Sequence, residues 1–474
     1  MKTLETPQEK FRRMTETPIP KLIVHLAIPT IISMMITSIY NMADTFFVGQ
    51  IGTSATGAVG VAFSLMAIIQ AIGFTFGAGS GNYISRLLGQ QRHEEAERIA
   101  ATGFFTALIA GLILAVAGEL FLEPLVRILG ATETILPYAM DYIRWILVGA
   151  PYMMACFVLN NILRYQGSSF YSMLGVATGG ILNIALDPLF IYAFNLGTAG
   201  AAIATIISQF VSFCILLHHS RRPEHIHIKF RMFTPTWAVY KEILRGGLPS
   251  FYRQGLGSLA TISLNFAAHP YGDAAIAAMS IVNRIFQFIH SVQLGFGQGF
   301  QPVCGFNYGA GRYDRVLEGF WFCIKVSVGI LCVLSLVGFI FAPQIIPIFR
   351  RDADVIAIGT LAMRLQCVAF PLNSWVVMNN MLCQTIGKGT AASLLSIARQ
   401  GMFFIPIILI FPSLFGLLGV QMGQPCADVC SFLLAIPIGA RVLRELKAGP
   451  KNTSVAPSGE SSDAAMEEKE EALS

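Results

Sequence analysis

Apolar residues run along this chain in twelve stretches long enough to cross a membrane. They lie near 22–46, 55–79, 97–119, 134–157, 170–194, 199–218, 247–268, 274–298, 317–341, 355–378, 391–411 and 416–440. About 20 mainly apolar residues span a bilayer as a helix, so the pattern predicts helices 1 to 12 in that order. Polar residues gather between the stretches and at both chain ends. One polar interval is long: residues 219–245 are basic and contain Pro223 and Pro235.

The pattern is also written twice, at an offset of 220. Pro29 falls on Pro249, Gly89 on Gly309, Arg144 on Arg364, Asn160 on Asn380 and Gly167 on Gly387. Six stretches fall in each copy, and an even number returns the chain to its starting side. The copies therefore insert the same way round, as parallel repeats. The expected fold class is an all-α polytopic membrane protein, with two parallel six-helix lobes around a central cleft. Its expected parts are a cytoplasmic N-terminal segment 1–20, a first lobe 21–218 and an inter-lobe connector 219–245. A second lobe 246–441 and a disordered tail 442–474 follow. Duplicated membrane bundles place a substrate site between the copies, near mid-membrane. Transport is the function class this organisation favours.

Composition narrows the reading. The chain is 54% hydrophobic and 12% charged, where soluble domains carry about 25% charged residues. Basic loops stay cytoplasmic, and Lys and Arg crowd one side: the N-terminus, Arg86 to Arg98, the 219–245 connector, and Arg312, Arg315, Lys388 and Arg441 to Lys447. The other side has Arg127, Arg350 and Arg351. Both termini are thus expected in the cytoplasm. The net charge of +5 follows from that bias and does not indicate nucleic acid. Residues 1–20 show no signal-peptide pattern, so helix 1 is expected to stay in the mature chain. Asn452-Thr453-Ser454 is a glycosylation triplet expected to stay unmodified on the cytoplasmic side. The nine cysteines form no C-x-x-C pair and read as small apolar packers. His225 and His227 read as solvated loop residues, and no metal site is expected. Phosphate-loop, G-x-S-x-G and H-E-x-x-H motifs are absent. Nothing therefore supports ATP hydrolysis or a hydrolase, no cofactor is expected, and an ion gradient is expected to supply the energy.

Ionisable groups inside a membrane are costly and mark function or pairing. Asp44 sits near the outer end of helix 1 and Asp187 in the outer half of helix 5. Helical spacing puts Ser33, Thr37, Tyr40 or Asn41, and Asp44 on one face. Asn183 precedes Asp187 by one turn. Tyr142 of helix 4 and Thr205 of helix 6 fall at the same depth. A buried carboxylate with hydroxyl and amide neighbours can take up and release a proton; the same group could also be a polar knot that holds the lobe together. The second copy carries Leu264 and Ile407 at the positions of the two acids. Its membrane-level charges are mostly basic: Arg253, Arg284, Lys325, Arg364 and Arg399, with Asp428 the one acid, expected to pair with a neighbouring cation. Glu119 and Asp141 read as interfacial. Pro29, repeated as Pro249, frees a helix carbonyl and serves as a fixed kink or a hinge.

Three motifs carry a resemblance: Tyr40-Asn41-Met42-Ala43-Asp44-Thr45-Phe46-Phe47-Val48-Gly49, Asn183-Ile184-Ala185-Leu186-Asp187-Pro188-Leu189-Phe190, and Gln298-Gly299-Phe300-Gln301-Pro302 running into Gly305 to Ala310. Over roughly 20–445 the chain resembles the MATE family of multidrug and toxic compound exporters, closest to its MepA-like bacterial members. The resemblance implies export of bulky, often cationic amphipathic drugs across a bacterial plasma membrane by a monomer, against H+ or Na+. In DinF-like members acids on helices 1 and 5 form the proton site. That role passes to Asp44 and Asp187, with Asn183, Tyr142 and Thr205 in support. Tyr40, Asn160 and Thr37 would line the drug chamber. NorM-like members bind cations through acids on helices 7 and 10, where this chain has none, which favours H+ over Na+ coupling. The superfamily also contains lipid-linked sugar flippases; Arg253, Arg284 and Arg399 keep that alternative open.

Overall fold

A computed structural model describes residues 5–449, and every regular element among them is helical. The first six long helices are helix 1 (Ile19–Gly49), helix 2 (Thr53–Gly89), helix 3 (His93–Leu120), helix 4 (Leu136–Tyr165), helix 5 (Ser169–Ala193) and helix 6 (Gly197–Ser220). Helix 7 (Trp237–Ala268), helix 8 (Asp273–Gly309), helix 9 (Tyr313–Phe349), helix 10 (Ala353–Thr385), helix 11 (Gly389–Phe415) and helix 12 (Leu417–Ala448) complete the set. These fall at the twelve expected places. Eleven are both long and apolar enough to cross a membrane; helix 7 is not. Its apolar run is broken by Arg253, Gln254, Ser258 and Thr261, all of which line a cavity.

The two lobes touch through equivalent surfaces. Helix 1 packs on helix 8, and its copy, helix 7, packs on helix 2. At the ends of helices 2 and 8 the repeat meets itself: a Cβ on Gly89 would strike the Phe306 carbonyl, and a Cβ on Gly309 would strike the Arg86 carbonyl. Phe306 is the copy of Arg86, as Gly309 is of Gly89, so one close approach occurs twice about a pseudo-twofold axis. Glycine is needed there because the backbones themselves are in contact. This seals the end of the bundle that carries the N-terminus. The short helix Pro7–Glu16 lies across that seal, started by a Thr6–Glu9 capping box. Lys10 Nζ donates to the Glu224 carbonyl of the connector at 2.7 Å, and Arg13 to that of Gly167 on the first lobe at 3.3 Å. Asn307 and Arg312, on the second, donate to the Met14 and Thr15 carbonyls at 3.0 and 2.7 Å.

Several expected boundaries move. Helix 4 continues to Tyr165, eight residues past the expected 157, because its last turns are buried by protein and need no lipid-like composition. The irregular connector is 221–236, since helix 6 runs to Ser220 and helix 7 starts at Trp237. Residues 442–448, assigned to the tail, are the end of helix 12, with Val442, Leu443 and Leu446 buried. The rest of the expected tail, 450–474 with Asn452, lies outside the described residues. His225 is not a solvated loop histidine. It is buried, with Nδ1 2.8 Å from the His219 carbonyl oxygen and Nε2 2.9 Å from Ser168 Oγ. Burial holds its imidazole down at about 4. Glu119 and Asp141 are exposed, Glu119 paired with Arg144 at 2.9 Å. The described residues include no His, Cys, Asp or Glu cluster able to hold a metal.

Candidate functional site

Helix 1 turns Ser33, Tyr40 and Asp44 inward; all three are buried, while Thr37 is half-buried with its hydroxyl on the Ser33 carbonyl at 2.8 Å. Helix 5 packs against this face. Gly180 sits under the Tyr40 ring, so the two helices come close one turn before Asn183. Asp44 and Asp187 are 4% and 0% exposed. The Tyr142 hydroxyl donates to Asp44 Oδ2 at 3.4 Å. Asn183 Nδ2 lies 3.2 Å from Asp187 Oδ1 and 3.3 Å from Thr205 Oγ1. Tyr142 is close enough to both acids to feel their charge and lies beside the Thr205 hydroxyl. The five groups expected together are therefore together, contributed by helices 1, 4, 5 and 6.

This cluster is under-satisfied. Asp44 Oδ1 and Asp187 Oδ2 are buried and meet no hydrogen-bond donor among the described residues. A knot that served only to hold helices together would saturate its carboxylates, because an unpaired buried charge is destabilising. Each acid thus keeps one carboxylate oxygen open to a further partner.

Of the expected drug-chamber residues, Tyr40 and Asn160 are buried in the first lobe and Thr37 is half-buried. Asn160 is buried within the first lobe and accepts a hydrogen bond from the Ser172 hydroxyl. None of Tyr40, Thr37 and Asn160 lines the cavity of ≈340 Å³ found between the helices. That cavity lies in the second lobe, behind helix 7, with Ala67 and Gln70 of helix 2 at its rim. The duplication explains its position. The copies of Thr37, Tyr40 and Asp44 are Gly257, Ala260 and Leu264, and the copy of Tyr142 is Ala362; all four line the cavity. Two buried tyrosines occupy these positions in the first lobe, and two alanines line the cavity in the second.

Arg253 and Arg399 reach this cavity, whereas Arg284 and Lys325 are exposed on the outside of the bundle. Arg364 is bonded to the Phe339 carbonyl at 3.1 Å. Asp428 is paired as expected: Arg399 Nε donates to it at 2.8 Å, Gln366 at 2.7 Å and Gln424 at 3.0 Å. Pro29 stays inside an unbroken helix 1, its carbonyl accepting from Ser33 Oγ at 3.0 Å. Gly299 of helix 8 packs on Ala27 just before it. Sequence reasoning missed Arg164, which is buried between the lobes. It donates to Gln298 of helix 8 and to Asn161 at 2.6 Å, and lies 5.0 Å over the Tyr165 ring. The apolar run of helix 4 ends near 157, before Arg164. His290 was passed over too, although it copies the cavity residue Gln70.

Two repeated six-helix bundles, with two under-bonded acids buried in one and a cavity in the other, define a duplicated polytopic membrane protein of the transporter type. The chain belongs to the MatE family: the model of that family matches residues 29–189 and again 249–410. The two matches start 220 positions apart, the spacing of the repeat. The multidrug export protein MepA of Staphylococcus haemolyticus (strain JCSC1435) is 29% identical over 428 residues, covering 90% of this chain and 94% of that protein. The protein of the same name from Staphylococcus aureus (strain MSSA476) is 28% identical over 436 residues, with 91% and 95% covered. Among solved structures, an outward-facing multidrug resistance MATE family transporter superposes with a TM-score of 0.86 at 29% identity, over 92% of this chain and 98% of that one. A MATE in its straight conformation gives 0.87 at 28% identity, over 92% and 98%.

Proposed function

We propose that this protein is a secondary active multidrug exporter, exchanging amphipathic organic cations for H+ across a bacterial plasma membrane by alternating access. The relatives named multidrug export proteins support the substrate class. The observation that carries the coupling is the pair of buried carboxylates, Asp44 and Asp187, each with one oxygen lacking a donor. Protonation neutralises them and changes which neighbour each bonds, Tyr142 for Asp44 and Asn183 for Asp187. A bound cation favours the charged pair and a proton favours the neutral pair, so one displaces the other. Such differential binding is what lets an ion gradient move a conformational equilibrium. Helix 1 carries Asp44 and also packs on helix 8 beside Pro29, so a shift at the acids reaches the inter-lobe contact. With both termini in the cytoplasm, the glycine seal closes the inner end, which corresponds to an outward-facing state. The interiors of helices 7 and 10 hold no acid, since Glu242 and Asp354 lie in their first turns, which favours H+ as the coupling ion.

The test is dye efflux from proteoliposomes under an imposed pH gradient, with and without Na+. Efflux is expected to persist without Na+ and to stop when the gradient is collapsed. Efflux that requires Na+ while the pH gradient is held would contradict the proposal.

A further inference from the structure

The second-lobe cavity has a polarity that the export of cations does not use. No Asp or Glu lines it, while two guanidiniums do. Arg253 has only neutral acceptors, Asn380 Oδ1 at 3.4 Å and Ser250 Oγ at 3.3 Å, both long. Arg399 spends its Nε on Asp428, and its terminal nitrogens make no hydrogen bond among the described residues. Asp428 itself is covered by Arg399, Gln366 and Gln424 and lies behind the wall. A cation at membrane depth without a counter-ion is costly, and a free guanidinium face matches a carboxylate in a two-pronged pair.

The remaining lining defines the other end of the ligand. Leu264, Met279, Val282, Phe286 and Phe404 form an apolar wall. Two buried amide oxygens, Gln366 Oε1 and Gln400 Oε1, meet no donor. A pocket of about 300 Å³ or more accepts a small organic molecule, and this one measures ≈340 Å³.

We infer that the second-lobe cavity is a binding site for an amphipathic organic anion that also carries an N–H or O–H donor. Its carboxylate meets Arg253 and Arg399, its donor meets the amide oxygens of Gln366 or Gln400, and its apolar body lies on the Leu264–Phe286–Phe404 wall. The site is separate from the first-lobe acids, so it stands whether or not those acids couple to protons. Its chemistry suits a soluble N-acyl amino acid and also the phosphodiester headgroup of a lipid.

The probe is 2-naphthoylglycine, which has an amide N–H, a carboxylate and an aromatic body; its methyl ester lacks only the charge. Binding is measured by calorimetry on the full chain in phosphatidylcholine nanodiscs. The acid is expected to bind at least about tenfold tighter than the ester, a ratio worth 1.4 kcal/mol. Arg253→Gln, whose partners are neutral, should remove that preference. Ala260→Tyr, which puts back the ring of the first lobe, should abolish binding of both without any change of charge. Arg284→Gln, outside the cavity, should change nothing. Adding phosphatidylglycerol to the discs separates the sources: competition assigns the site to a lipid headgroup, and none assigns it to a soluble anion. Equal binding of acid and ester, or acid binding unchanged in both Arg253→Gln and Ala260→Tyr, would overturn the inference.

Discussion

The two lobes build one corner twice and fill it with opposite charge. In the first, helix 1 turns Ser33, Tyr40 and Asp44 inward against helix 5 and Asp187, and two tyrosines close the space. In the second, the same helix face presents Arg253, Ala260 and Leu264, and the space stays open as a cavity. The backbone scaffold is shared down to the glycine contact at Gly89 and Gly309. What differs is which charge is left without a full set of partners: two carboxylate oxygens on one side, a guanidinium face on the other. A duplicated bundle can therefore keep its packing while its halves specialise, because packing is decided by small residues between helices and chemistry by a few positions facing inward.

The largest effect should come from making the first lobe resemble the second. Asp44→Asn and Asp187→Asn, tested separately, are expected to lower pH-driven efflux by about a hundredfold or more, a loss of roughly 3 kcal/mol of coupling. Expression should stay near normal, because each carboxamide keeps the shape. Wild-type efflux in both variants would end the coupling role of the first lobe.

Where the lobes are alike, they should respond alike. Gly89→Leu and Gly309→Leu each push a side chain into a facing backbone, and overpacking costs about 1–3 kcal/mol. Both should impair sealing of that end and slow efflux to a similar degree, read by the same assay. A loss confined to one of them would break the pseudo-twofold account.

Asp428→Asn tests the acid that is saturated. It removes a charged acceptor from Arg399 but leaves the Gln366 and Gln424 contacts possible. Thermal stability should fall by about 1–3 kcal/mol, while efflux stays within about threefold, a change of less than 1 kcal/mol. Loss of efflux as deep as in the first-lobe variants would place coupling in both lobes.

The smallest effect concerns the loops after helices 4 and 10, at Ser168 and its copy Lys388. His225 ties down the first, and a Lys388–Glu445 ion pair holds the second. The folded His225 sits at about 4, below the ordinary value of about 6.5. Its contribution is therefore complete above about 6.5 and is lost as pH falls toward 4. At about pH 5 the deficit is on the order of 2 kcal/mol. Hydrogen exchange near 166–169 should accelerate between about pH 7.5 and 5, after correction for intrinsic rates, with less change near 386–389. Equal behaviour of the two loops would contradict the burial of His225.

Much of this was legible in the sequence. Apolar runs located all twelve helices, and the 220-residue offset, carried on Pro, Gly, Asn and Arg, disclosed the two lobes. The five first-lobe groups could be placed together because helical spacing and depth fix them in sequence terms. Ends buried by protein escaped that logic: Arg164 and residues 442–448 lie where helices continue without lipid-facing composition. The cavity escaped it as well. It is produced by what is missing, alanines for Tyr40 and Tyr142, and comparing the copies at every inward position, beyond the two acids, would have exposed it. Helix 7 offered one further signal, since its polar run marks the face that lines the cavity.

The central claim is that coupling resides in the first lobe alone. The most direct test adds tetraphenylphosphonium to weakly buffered, purified protein and counts the protons released with a pH-sensitive dye. Wild type and Asp428→Asn should release protons on binding the cation, and the Asp44→Asn/Asp187→Asn double variant should release none. Release that survives in the double variant, or disappears in Asp428→Asn, would contradict the account.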